Sequence, residues 1–144
     1  MKIDYQKIFK KNIINILIDV LKTIEQKGLT QGHHLYVTFD TNHKKVLIPK
    51  WLKDKYPNEM TIVIQYEYYN LKVKEEKFLI GLSFNDIKTN LEISYESVIS
   101  FADPYANFGI KLIEKEKGEG IKSINKNKKT NNVIDFTAYK DHSK

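Results

Sequence analysis

Up to Gly28 the apolar residues of this chain recur every three or four positions; after it they arrive in short runs of β-branched and aromatic residues. That change of period dictates one helix followed by strands. Over residues 4–27, Ile13, Ile16, Leu17, Val20, Leu21 and Ile24 share one helical face, with Asp4 placed to cap the start and Gly28 to stop the helix. Such a stripe serves either as core packing or as a seam between two copies of the chain. Residues 33–39 (HHLYVTF), 60–69 (MTIVIQYEYY), 78–84 (FLIGLSF), 91–95 (LEISY) and 107–113 (NFGIKLI) have the composition of strands. DTNHKK, NLKVKEE, NDIKTN and ADPY between them read as tight connections, and PKWLKDKYP at 49–57 as a short helical turn bounded by prolines. The expected fold class is therefore mainly β (α+β): an N-terminal helix before a small, strongly bent antiparallel sheet or barrel.

Composition narrows the partners. The chain has 144 residues, of which 41% are hydrophobic, enough for one domain over residues 1–113. No apolar run reaches membrane-span length, and MKIDYQKIFKKN lacks the order of a signal peptide, so a cytoplasmic protein is expected. It has no cysteine, which removes disulfides and thiol chemistry. Half of the net charge of +6 comes from residues 114–132, which hold six Lys against three Glu. All 24 basic residues are Lys, so the bidentate fork that reads guanine or clamps phosphate is missing and nucleic acid is a disfavoured partner.

Residues 114–132, EKEKGEGIKSINKNKKTNN, offer two isoleucines among nineteen residues, too little apolar surface to offset the entropy of ordering. They read as a flexible linker, with a root-mean-square reach of roughly 24 Å and an extended limit near ~65 Å. VIDFTAYK at 133–140 then restores Val, Ile, Phe and Tyr, an apolar motif inside the terminal segment 133–144. A body, a tether and a sticky end describe a protein that brings two others together.

The residues point away from catalysis. His33 and His34 are neighbours, so on a strand they face opposite ways and do not share a metal. His43 and His142 lie in a turn and in the tail, and Asp40, Asp86 and Asp103 sit where Asp ordinarily bonds its own backbone. GxSxG, GxxxxGK[ST] and GxGxxG do not occur. A non-enzymatic protein without cofactor or metal is expected. Tyr66, Tyr68 and Tyr69 read as a packed β-face in preference to a base-stacking platform, because no Arg or interleaved Lys accompanies them. Gln65 follows Ile62, Val63 and Ile64, and an amide in an apolar strand must find hydrogen bonds, within the fold or from a ligand such as an extended peptide.

MTIVIQYEYYNLKVKEEKFLIGLSFNDI, then ISYESVISFADPYANFGIKL, resembles the stringent starvation protein B family, in its shorter alpha-type branch. The resemblance extends through HHLYVTF and YPNEM and ends at Phe108 and Gly109, with dissimilar motifs in the right order and spacing. It implies an Sm-like β-barrel and a homodimer whose seam would use Ile13, Ile16, Leu17, Val20 and Ile24. The family captures the degradation tag (ssrA) that transfer-messenger RNA adds to stalled nascent chains, and hands the tagged protein to the ClpX unfoldase of the ClpXP protease. By that resemblance, Gln65, Ile80, Leu82, Phe84, Phe101 and Ala102 would line the tag groove. Val133, Ile134, Asp135, Phe136, Ala138, Tyr139 and Lys140 would dock on the N-terminal zinc-binding domain of ClpX, with DHSK as four further residues. The rival readings are an Sm-like or cold-shock-like RNA-binding barrel with a basic tail, and a structural dimer with an inert tail; steep salt dependence of oligonucleotide binding separates the first from peptide capture.

Overall fold

The computed structural model describes residues 2–29 and 32–112. Helix α1 (Tyr5–Lys27) starts where the sequence places it: the Asp4 side chain accepts the Lys7 N–H at 3.0 Å. It stops at Gly28, whose φ of 80° needs a residue without a side chain and whose N–H donates to the Ile24 carbonyl at 2.8 Å. Ile13, Leu17, Leu21 and Ile24 are buried in the protomer's own core. The seam expectation is corrected accordingly: Ile13, Leu17 and Ile24 are committed to that core, Val20 is half-buried, and only Ile16 is well exposed, at 40%.

Strands follow. β1 (Leu35–Asp40) and a short helix α2 (Lys50–Lys55) precede β2 (Glu59–Ile64), β3 (Tyr69–Val73), β4 (Lys77–Phe84), β5 (Ile87–Ser94), β6 (Val98–Asp103) and β7 (Phe108–Lys111). Pro49 precedes α2 with φ −63° and accepts the N–H groups of Leu52 and Lys53, which seats Leu52 in the core. All pairings are antiparallel, in a four-stranded sheet ordered β2-β1-β6-β7 and a three-stranded sheet β3-β4-β5. β4 and β5 are joined by Asn85 and Asp86 at φ 55° and 67°, with Phe84 opposite Ile87. Positive φ at both loop positions is the signature of a type I′ hairpin, whose twist matches the strands it joins. One core fills the space between the sheets and α1, holding Val37, Phe39, Ile62, Ile64 and Phe101 from one sheet, Phe78, Ile80, Leu91 and Ile93 from the other, and Leu17 and Leu21 from the helix.

The sheets do not close into the expected barrel. Among the described residues no strand pairing links an edge of one sheet to an edge of the other; outside the named strands the only bridge joins Leu47 to Glu92. The cause lies at residues 65–68. A continuous strand over 60–69 would carry the alternation of buried Ile62 and Ile64 on to Tyr66, yet Tyr66 is 84% exposed and the chain bends there. The single expected strand is thereby split into β2 and β3, one in each sheet. NLKVKEE, read as a connection, contains most of β3; NDIKTN contains the start of β5; and β6 lies outside the runs whose composition marks strands, although the family resemblance places Phe101 and Ala102 in a strand region.

Candidate functional site

A groove of about 410 Å³ lies where the two sheets fail to meet. One wall is β2, the outermost strand of its sheet, through Thr61, Ile62 and Val63. The other is the last stretch of β4, Leu82, Ser83 and Phe84, and the bend Gln65, Tyr66 and Glu67 lines the space between. β3 leaves this end of β4 uncovered, because its pairing begins with Tyr69 opposite Gly81 and runs the other way.

The backbone direction at Ser83 follows from the ladder. Leu47 and Glu92 exchange both backbone hydrogen bonds, at 2.9 and 3.0 Å, so the peptide groups of Glu92 point away from β4. Its opposite number Leu79 must then direct its N–H and C=O toward β3, and so, two and four residues on, must Gly81 and Ser83. Gly81 faces Tyr69; Ser83, beyond the start of β3, presents its donor and acceptor to the groove. The Thr61 hydroxyl on the opposite wall is within 2.7 Å of that of Thr38, which holds the β2 edge in place.

Gln65 sits one residue past the end of β2, not inside a strand as its sequence context suggested. It is half-buried, and its amide forms no hydrogen bond among the described residues. A half-buried carboxamide at the mouth of a groove, without a protein partner among the described residues, offers a donor and acceptor pair matched to a peptide bond. Phe84 is half-buried and held by the tight hairpin turn; Leu82, at 6% exposure, forms the floor. The only charge on the lining is Glu67.

Three of the six groove residues expected from the family pattern thus come together: Gln65, Leu82 and Phe84. The other three do not. Phe101 and Ala102 are fully buried in β6, with the Phe101 ring centroid 5.9 Å from that of Phe108, and Ile80, at 1% exposure, is core that borders a different groove. Thr61, Ile62, Val63, Tyr66, Glu67 and Ser83 were missed. Tyr66 is the one with a visible signal, since an aromatic followed by Glu67 and preceded by Gln65 lies in a polar context; as an exposed side chain it departs from the packed β-face expected of it. Ser83 contributes backbone, which no side-chain pattern reveals. The docking residues Val133, Ile134, Asp135, Phe136, Ala138, Tyr139 and Lys140, and the linker 114–132, lie outside the described residues.

A family model described as stringent starvation protein B matches residues 9–144. The chain belongs to the stringent starvation protein B family. Among individual curated proteins none matches it. The match takes in α1 from Phe9, every described strand and the C-terminal segment, so the groove and both of its walls lie inside the family's domain. No helix among the described residues is long and apolar enough to cross a membrane.

Elsewhere on this family domain, His33 and Asp103 make a pair that the sequence reading did not join. His33 Nδ1 lies 2.6 Å from Asp103 Oδ2, and Asp103 Oδ1 accepts the Ala106 N–H at 3.3 Å, so one carboxylate ties the start of β1 to the turn after β6. The Tyr105 ring packs edge-on against His33 at 4.7 Å. The carboxylate bonds and the ring contact together hold this corner of the fold.

Proposed function

We propose that the chain is a proteolytic adaptor: the groove between β2 and β4 holds the tmRNA-encoded degradation tag, and the terminal segment holds the ClpX unfoldase. The observation that carries this reading is the unbonded Gln65 carboxamide at the mouth of a groove bounded by two strand edges. An extended peptide supplies the hydrogen-bonding partners those edges lack and lays alternate side chains onto Leu82 and Phe84. Family membership supports the same function. The chain does no chemistry of its own; it raises the concentration of tagged substrate at the unfoldase. Two weak contacts joined by a tether of this length act as one strong contact, because effective concentrations for short flexible linkers lie in the millimolar range. A homodimer through the outer face of α1, where Ile8, Phe9 and Ile16 are exposed, would present two grooves and two tails.

The test is a degradation assay with tagged substrate, ClpX and its protease partner, run beside a titration with labelled tag peptide. Removing residues 133–144 is expected to leave tag affinity unchanged and to abolish the enhancement of degradation. Normal stimulation by the shortened chain would end the tether account. The exposed Tyr66 is the one observation favouring an RNA-binding alternative, and a steep loss of oligonucleotide binding with added salt would support that reading instead.

A further inference from the structure

A second groove, of about 530 Å³, crosses the outer face of the three-stranded sheet, away from Gln65. Leu79 and Leu47 supply its apolar surface, Asn70 and Asn90 its amides, and Lys72 and Glu92 its charges. Leu47 is 57% exposed, and the paired backbone bonds to Glu92 that hold it there make the exposure a property of the fold, not of a loose loop. Pro49 prevents those two bonds from growing into a longer ladder: it has no N–H to donate, and its carbonyl is taken by Leu52 and Lys53.

Charge selects the occupant. Glu92 is already paired with Lys77 at 2.7 Å, whereas no acid among the described residues pairs with Lys72. The groove therefore carries one uncompensated ammonium beside two amides and an aliphatic surface. No aromatic side chain lines it, so a base has nothing to stack on and single-stranded nucleic acid is poorly served. We infer that this groove binds an extended acidic peptide: a carboxylate meets Lys72, the Asn70 and Asn90 amides bond its backbone, and an aliphatic side chain packs on Leu47 and Leu79. The site stands apart from the tag groove and is independent of that reading.

Fluorescence anisotropy with a labelled peptide of alternating Asp and Val, titrated with the full chain, tests this. Saturable binding is expected, about tenfold weaker in Lys72→Glu and in Leu47→Asp, and unchanged in Gln65→Ala. A twin peptide with Asn for Asp is expected to bind more weakly and to ignore Lys72→Glu. Both substitutions sit on exposed side chains, and circular dichroism verifies that the variants fold. Absence of saturable binding, equal affinity in Lys72→Glu, or displacement of the peptide by oligouridylate overturns the inference. Loss of binding in Gln65→Ala also overturns it, by placing the acidic peptide in the first groove.

Discussion

The two ends of β4 differ in what lies beside them. At Phe78 and Ile80 the strand has β3 on one side and β5 on the other, and both side chains are buried to within 1%. At Ser83 and Phe84 it keeps β5 but has lost β3, and the vacated side is the tag groove proposed above. The same run of alternating apolar residues is core at one end and groove wall at the other. Partner coverage, decided by a bend at residues 65–68 more than ten positions away, makes the difference.

The sharpest way to break this contrast is to truncate the covered end. Ile80→Ala should destabilise the fold by about 3 kcal/mol, the sum of lost transfer energy and a cavity in a region closed on both sides. Urea unfolding measures it, and the folded fraction should bind tag peptide with unaltered affinity. A loss of stability below about 1 kcal/mol would show that the covered end is as loosely packed as the open one.

At the covered end of the sheet, Tyr95 provides a second and smaller test. Its ring stacks on Phe78 with centroids 6.0 Å apart, and its hydroxyl donates to the Lys74 carbonyl at 2.8 Å. Burial, with a lesser contribution from the Glu25 carboxylate, pushes its pKa up to about 12 from 10.0. The folded state therefore holds this proton where the unfolded chain releases it. The contribution is complete below pH 10.0 and falls away as pH rises toward about 12. Tyr95→Phe should cost about 1 kcal/mol at neutral pH and remove this part of the alkaline loss, read from unfolding midpoints at both pH values. An unchanged alkaline slope would show that Tyr95 does not titrate with unfolding.

This contrast also explains what the sequence made legible. Helix α1, with its cap at Asp4 and stop at Gly28, was readable to within one residue because period, cap and glycine are local signals. The short helix before Pro57 was readable for the same reason. The barrel was not, since closure depends on whether Gln65, Tyr66 and Glu67 continue a strand or bend, and strand composition alone supports either. Ile80 and Leu82 illustrate the limit at the site: two residues apart on the same face of β4, with the same aliphatic character, they line different grooves. Phe101 and Ala102 carried the family pattern equally well, yet both are covered, Phe101 in the core opposite Val37 and Ala102 on the other face opposite Tyr36, in an inner strand between β1 and β7. Side-chain identity narrows the choice; strand order decides it.

Gln65 gives the smallest effect on stability and the most direct measure of the open end. Its side chain makes no hydrogen bond among the described residues, so Gln65→Ala removes nothing the fold uses, and the unfolding free energy should move by less than about 0.5 kcal/mol. Tag affinity, in contrast, should fall by about 1 kcal/mol, roughly fivefold, because the peptide loses a donor and an acceptor it had desolvated to meet. The two measurements together separate binding wall from core more cleanly than either alone. Ile80→Ala should lose stability and keep affinity, and Gln65→Ala should do the reverse. If Gln65→Ala loses both, the amide supports the bend that opens the groove, and the unpaired end of β4 owes its freedom to that side chain. If it loses neither, the tag does not reach the end of β2, and the hydrogen bonds that hold it come from the strand edges alone.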